Sequence, residues 1–199
     1  VSSAADAISH TKLFVFSSAT APDGAIATDV VWFGSANQTY ASGMELYNNT
    51  VTIFGDDVLY TSLRGYLDDL YYRKTYADYY DPASGRGHLL AASASVYVSP
   101  EVQTDLVVNR LDDITPDDTC RVRVMQASIR DSRLAVVNRL VALKQGGCKI
   151  WVVAETVEPS AASSLSAAGI PVKKMPIHDK SFIVYAKYGS SYEYRVYTG

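Results

Sequence analysis

Residues 120–153 have the sequence CRVRVMQASIRDSRLAVVNRLVALKQGGCKIWVV, which reads as a β–α–β unit. The runs 121–125 and 149–153 are short and rich in β-branched residues, as strands are. Between them, apolar residues recur at helical spacing over 132–143, and a Gly-Gly pair follows that ends the helix. A crossover of this kind predicts two parallel strands that lie side by side, about 4.8 Å apart.

The two cysteines stand immediately before the two predicted strands. Because the strands are parallel neighbours, Cys120 and Cys148 lie at the same end of the sheet and within disulfide reach. We therefore expect a disulfide between residues that are 28 positions apart, and the alternative is a pair of buried free thiols. A disulfide would indicate a secreted protein, because such bonds persist in oxidising compartments.

The flanking sequence extends this unit in both directions. Turn-forming residues separate the remaining elements, which we recognise by their apolar periodicity. Strands are predicted at 11–17, 29–34, 50–54, 95–98, 171–175, 179–186 and 192–197, and helices at 100–111, at 160–168 and from an Asp56 cap to about residue 74. The last strands look antiparallel, so the sequence predicts an α/β fold with a mixed β-sheet flanked by helices.

A short pattern occurs near each end of the chain. His10-Thr11-Lys12 and His178-Asp179-Lys180 each stand at the head of an apolar run. On a strand, residues i and i+2 point to the same face, so each pattern presents an imidazole beside an ammonium. The segment Gly34-Ser35-Ala36-Asn37 begins 24 residues after the first histidine, and Gly199 occupies a similar place, 21 residues after the second. We interpret this recurrence as an internal repeat.

The pattern H-x-K followed by G-S-x-N resembles the phospholipase D superfamily, whose members carry it twice, and especially its secreted bacterial phospholipase D-like proteins. The resemblance covers nearly the whole chain. It implies that residues 1–80 are the C-terminal part of a first repeat, 81–94 a linker and 95–199 the N-terminal part of a second repeat. We therefore expect the remainder of the same protein as a separate or missing segment, and an isolated chain that is inactive.

The resemblance implies a phosphodiesterase that acts through a phosphohistidine intermediate, with phospholipid head groups as the expected substrate. His10 would be the nucleophile and His178 the acid and later the base, although the sequence leaves open which histidine does which. Histidine suits both roles because its ordinary pKa lies near 6.5. Lys12 and Lys180 would neutralise the phosphoryl oxygens, and Asn37 would donate a further hydrogen bond. The resemblance implies no metal and no other cofactor.

Two more residues complete the predicted site. Ser35 would donate a hydrogen bond to the substrate. The superfamily often has a Glu that orients the catalytic histidine just before the next strand; Asn49 is the nearest match and Glu45 a poorer one. The superfamily also has an Asp five residues after each Lys, and Ser17 and Tyr185 stand there instead.

Composition leaves several functions open. The chain is 48% hydrophobic and 20% charged with a net charge of −3, which is ordinary for a globular domain and lacks the basic excess of a dedicated nucleic-acid binder. A phospholipid substrate would bring transient contact with a membrane surface. The runner-up is a nuclease or another phosphodiesterase of the same superfamily, for which nucleic acid would be the partner. A non-catalytic phosphate-binding relative is the third alternative.

Overall fold

The computed structural model describes residues 10–74, 76, 78–80, 84–99, 101 and 104–199. Within these ranges the chain divides into two compact units. The first unit contains the described residues up to Phe33 and from Thr50 to Leu106, and the second contains Gly34–Asn49 and Val107–Gly199. The G-S-x-N segment therefore belongs to the same unit as the second H-x-K pattern. The predicted repeats at 1–80 and 95–199 stay a prediction.

Regular structure follows the sequence expectation closely. In chain order the elements are β1 (Leu13–Thr20), β2 (Ile26–Gly34), α1 (Tyr40–Met44), β3 (Thr50–Ile53), α2 (Asp57–Tyr71), β4 (His88–Leu90), β5 (Ser95–Tyr97), α3 (Leu106–Asp112), β6 (Ile114–Thr115), β7 (Arg121–Ile129), α4 (Leu134–Gln145), β8 (Lys149–Val157), α5 (Pro159–Ala167), β9 (Val172–Lys174), β10 (Lys180–Tyr188) and β11 (Ser191–Thr198). None of the helices in the described ranges is long and apolar enough to cross a membrane.

A three-stranded sheet in the order β1-β2-β3 organises the first unit. β1 and β2 pair antiparallel, with Val15 opposite Val31. Helix α2 begins at the predicted cap, where Asp56 Oδ1 accepts a hydrogen bond from the Leu59 backbone N–H at 3.0 Å. Leu59 and Leu63 on its apolar side belong to one buried cluster with Val31, so burial of this stripe fixes the helix on the sheet.

A mixed six-stranded sheet organises the second unit. Its order is β11-β10-β7-β8-β9, with β6 also paired to β10. β7, β8 and β9 are parallel, whereas β10 is antiparallel to both β7 and β11. Helices α4 and α5 contribute side chains to one core with alternate residues of the central strands, including Val122, Val124, Val137, Leu140, Ile150, Val152, Leu165 and Val184. The predicted fold class, a mixed sheet flanked by helices, is confirmed.

The predicted β–α–β unit is present. Arg121 of β7 lies opposite Lys149 of β8 in a parallel pair, and α4 connects the two strands. The expected disulfide joins Cys120 to Cys148 directly before these strands. The Cys120 carbonyl oxygen also accepts a hydrogen bond from the Lys149 N–H at 2.9 Å, so backbone pairing begins at the same level as the cross-link.

Most predicted bounds differ from the structure by one to three residues, and two segments differ more. Among the described residues of the predicted helix 100–111, the helix covers Leu106–Leu111 and continues to Asp112, whereas Glu101 accepts a local hydrogen bond from the Thr104 N–H at 3.2 Å; residues 100, 102 and 103 lie outside the described residues. Part of the predicted linker 81–94 is strand β4, which pairs antiparallel with β5. Residues 81–83 of that linker lie outside the described residues.

Candidate functional site

The candidate site lies at one end of the six-stranded sheet. Lys180 is the first residue of β10 and pairs with Gln126 of β7, and Thr198 is the last residue of β11. Because β10 runs antiparallel to β7, this is the end at which the parallel strands β7 and β8 finish. In open α/β sheets, ligands bind outside the carboxyl ends of the strands. The second H-x-K pattern therefore lies where such folds place their ligands.

His178 and Lys180 are close to each other, but not by the predicted strand geometry. Only Lys180 belongs to β10, because the strand begins there. The Lys180 ammonium donates a hydrogen bond to the His178 carbonyl oxygen at 2.9 Å and lies 3.4 Å from His178 Nδ1. The ammonium reaches the imidazole by bonding to the backbone of the preceding loop. The strand alternation assumed for this pair is wrong, although the proximity of the two side chains is as expected.

The half-buried His178 ring is held by the segment that connects β2 to β3. Its Nδ1 lies 3.1 Å from the carbonyl oxygen of Ser35 and 3.2 Å from Oδ1 of Asn48. The His178 backbone N–H donates to the Tyr47 carbonyl oxygen at 2.9 Å. The two nearest partners of Nδ1 are oxygen atoms that accept, so this nitrogen carries the proton in the neutral imidazole. The lone pair is then on Nε2.

Asn48 was not among the predicted site residues. Its Nδ2 donates to the carbonyl oxygens of Ser42 at 2.7 Å and Leu46 at 3.2 Å. Backbone carbonyls can only accept, so these two contacts fix which end of the amide is nitrogen and point Oδ1 toward His178. The sequence did not distinguish Asn48 from Asn49 as the orienting residue, because the two are adjacent and neither has the acidic side chain of the superfamily.

Ser35 is 1% exposed, and its hydroxyl has two partners. The hydroxyl donates to Asn48 Oδ1 at 2.9 Å and accepts from the Asn49 backbone N–H at 3.1 Å. The Ser35 N–H in turn donates to the Asn49 carbonyl oxygen at 3.1 Å. These contacts help to hold the Asn48 side chain in place. The substrate contact predicted for Ser35 stays a prediction.

Asn49 connects the second H-x-K pattern to the last strand. Its Nδ2 donates to Asp179 Oδ1 at 3.1 Å and lies 2.8 Å from Thr198 Oγ1, which donates to Asn49 Oδ1 at 3.1 Å. Asp179 is buried, at 6% exposure, so this hydrogen bond replaces water that its carboxyl group has lost. The predicted orienting role of Asn49 toward His10 stays a prediction.

Asn37 is half-buried in the turn between β2 and α1. That turn is anchored by Ser35 on one side and by Thr39 on the other, where Thr39 Oγ1 caps α1 by accepting from the Ser42 N–H at 3.3 Å. Anchoring at both ends restricts the backbone that carries Asn37. Its predicted contact with a phosphoryl oxygen stays a prediction.

The first H-x-K pattern belongs to the first unit. His10 and Lys12 precede β1, and His10 is exposed. The Lys12 ammonium lies 2.9 Å from His10 Nδ1 and donates to the His10 carbonyl oxygen at 2.7 Å. Partial burial withdraws solvent from the Lys12 ammonium and lowers its pKa. The two patterns thus share one local geometry, in which the lysine bonds to the carbonyl of its histidine.

Within the described ranges, no group of three or more His, Cys, Asp or Glu side chains is arranged to hold a metal ion. His88, the third histidine, stacks on the Tyr97 ring with centroids 4.3 Å apart. That contact is a packing arrangement between β4 and β5, and His88 was not a predicted site residue.

No family model matches the chain, and no curated protein matches it. Among solved structures, polyphosphate kinase from Porphyromonas gingivalis is similar at 8% identity with a TM-score of 0.46. The match covers 94% of this chain but only 31% of that protein. A TM-score this low assigns neither a fold nor a function to this chain. Membership of the phospholipase D superfamily therefore stays a prediction from the two sequence motifs.

Proposed function

We propose that this chain carries catalytic residues of a phospholipase D-like phosphodiesterase that acts through a phosphohistidine intermediate. The observation that supports this most is the arrangement of the His178 ring, the Lys180 ammonium and the backbone of Ser35 at the carboxyl end of the parallel strands. Cleavage of a phosphodiester needs a nucleophile and cations around the phosphoryl oxygens. An imidazole beside an ammonium supplies both.

In this proposal one histidine attacks phosphorus as the bond to the leaving oxygen breaks, and the other histidine gives that oxygen its proton. Lys180 neutralises the charge on the phosphoryl oxygens, and Asn37 donates a hydrogen bond to one of them. Water or another alcohol then attacks the phosphohistidine, which divides one difficult displacement into two easier ones. The second histidine of the sequence prediction is His10, with Lys12 beside it.

A phospholipid is the proposed substrate, and an extracellular location is proposed with it. The disulfide between Cys120 and Cys148 supports that location, because cytosolic reductants would open most such bonds. Action on phospholipid would require transient contact with a membrane surface.

A nuclease is the second candidate, and one surface of the second unit favours it. The Arg123 guanidinium lies over the Trp151 ring, 3.4 Å from its centroid, and the rings of Tyr185 and Tyr194 stack at 4.4 Å. Arg121 is the register neighbour of Tyr185 on this same face of the sheet. Aromatic faces beside cations are typical of surfaces that bind single-stranded nucleic acid.

An assay with three substrates tests the proposal. The longest natural polypeptide that contains this sequence should be given phosphatidylcholine, bis-p-nitrophenyl phosphate and single-stranded DNA. We expect release of head group and of p-nitrophenolate, loss of both in His178→Ala, and retention of both in the control His88→Phe, which keeps a ring against Tyr97. Cleavage of DNA without release of head group would favour the nuclease. Absence of turnover on all three substrates would refute the enzyme and favour a phosphate-binding protein.

A further inference from the structure

We propose that Asn48 positions His178 as the nucleophile, by holding its imidazole in the Nδ1–H tautomer with Nε2 directed at the substrate. This inference rests on the proposed function and deepens it, because it reverses the roles that the sequence suggested for His10 and His178. It also moves the orienting role from Asn49 to Asn48.

Two backbone carbonyls determine the orientation of the Asn48 side-chain amide. The carbonyl oxygens of Ser42 and Leu46 accept hydrogen bonds and never donate, so the Asn48 atom that faces them is its NH₂ group. The other end of the amide, Oδ1, therefore faces His178 Nδ1 at 3.2 Å. The Ser35 carbonyl oxygen, 3.1 Å from the same nitrogen, is a second obligate acceptor. Two acceptors require a donor, which places the proton on Nδ1.

The Lys180 ammonium competes weakly for the same nitrogen. It is 3.4 Å from Nδ1 but donates at 2.9 Å to the His178 carbonyl oxygen. An ammonium has only donors, so it cannot accept from Nδ1–H, and its shorter contact with the carbonyl is the stronger one. Lys180 is thus left beside the ring, where its charge can act on a bound phosphoryl group.

The tautomer has a direct chemical consequence. The Nε2 lone pair forms the bond to phosphorus while the bond between phosphorus and the leaving oxygen breaks, and that oxygen takes a proton from a separate acid. The ring then carries positive charge, which makes Nδ1–H a stronger donor to Asn48 Oδ1 and to the Ser35 carbonyl. These hydrogen bonds strengthen as the reaction proceeds, so they stabilise the transition state more than the ground state.

Asn48 is neutral, whereas the superfamily residue that it would replace is acidic. A carboxylate at this position would stabilise the protonated imidazole, but its second oxygen would face the Ser42 and Leu46 carbonyls, which can only accept. Asparagine supplies both the acceptor for Nδ1–H and the donor for these carbonyls. Asn48→Ala should weaken the tautomer preference, because only the Ser35 carbonyl remains as acceptor.

Nitrogen-15 NMR on the folded chain provides a test that needs no turnover. The chain has three histidines, so long-range proton–nitrogen correlations can be assigned with His10→Gln and His88→Gln variants. We expect a protonated Nδ1 and an unprotonated Nε2 for His178 at neutral pH, and a shift toward Nε2–H in Asn48→Ala. Asn49→Ala is the matched control and should leave the ring signals unchanged, because the side-chain hydrogen bonds of Asn49 go to Asp179 and Thr198.

Reaction of the chain with phosphoramidate, a small phosphoryl donor, tests the nucleophile itself. We expect the phosphoryl group on Nε2 of His178, formed about tenfold more slowly in Asn48→Ala, the effect of losing a single hydrogen bond. An Nε2–H tautomer in the unmodified chain, or no change in Asn48→Ala, would overturn the positioning role even if diesters are cleaved. The expected tautomer without turnover of any diester would instead leave positioning intact and refute the proposed function.

Discussion

Removal of the disulfide is expected to destabilise the second unit. The bond joins residues with a sequence separation of 28, so the chain-entropy model gives a loss of roughly 3.5 kcal/mol in Cys120→Ala/Cys148→Ala. The loss arises in the unfolded chain, which becomes free to sample conformations that the cross-link excludes. At ordinary urea sensitivities of about 1–3 kcal/mol per molar, the unfolding midpoint should fall by roughly 1–3 M.

Trp151 reports on this unfolding because it lies in β8, three residues after Cys148. The chain has two tryptophans, so a Trp32→Phe background makes Trp151 the single fluorophore. In reductant, the free energy of unfolding of the unmodified chain should approach that of the double variant. The control Ser163→Ala, on the exposed side of α5, should stay within about 0.5 kcal/mol of the parent. A double variant that loses less than 1 kcal/mol, with or without reductant, would refute loop closure as the source of stability.

Two further predictions concern the first unit. Hydrogen bonding from Ser93 holds the pKa of Asp56 below its ordinary value, so this contribution to stability is complete above about pH 4 and is lost as pH falls through the lowered pKa. Asp56→Asn should remove this loss of stability from an acid titration followed by circular dichroism. An acid limb identical to that of the unmodified chain would contradict the prediction. Gly87→Ala should cost about 1–3 kcal/mol in urea unfolding, because a Cβ there would lie 2.5 Å from Tyr80 Cδ1. Gly65→Ala in α2 of the same unit, with nothing within 4 Å, is the control; equal stabilities for the two variants would refute the steric argument.

The sequence predicted the parts of the fold that are determined by local periodicity. The β–α–β unit of the second half was readable because apolar residues alternate or recur at helical spacing on both sides of a Gly-Gly stop. The start of α3 was not readable from the sequence. The Glu101 side chain accepts a hydrogen bond from the Thr104 N–H, and the helix becomes regular at Leu106. Membership of residues 34–49 in the second unit depends on contacts such as that between Asn49 and Thr198, and nothing local encodes these.

In the candidate site, too, the sequence predicted only what depends on local spacing. The pairing of His178 with Lys180 follows from a spacing of two residues, and it occurs even though the histidine lies outside the strand. The orienting residue could not be identified, because a loop has no periodicity that distinguishes Asn48 from Asn49. Backbone acceptors at Ser42 and Leu46 make the distinction, and these are features of the folded loop.

Asn49→Asp is expected to destabilise the second unit as pH rises. Asn49 Nδ2 donates at 3.1 Å to the buried Asp179 carboxyl, so an aspartate would place two carboxylates against each other. One of them must then hold a proton in the folded variant, which makes folding less favourable as the pH rises. Each pH unit above the ordinary carboxyl pKa near 3.9 costs up to about 1.4 kcal/mol, or about 3 kcal/mol at pH 6. Urea unfolding at pH 4 and pH 6 measures this cost. Asn49→Ala, which adds no charge, should lose similar stability at both pH values, and an Asn49→Asp variant equally stable at both would show that Asn49 and Asp179 are not in contact.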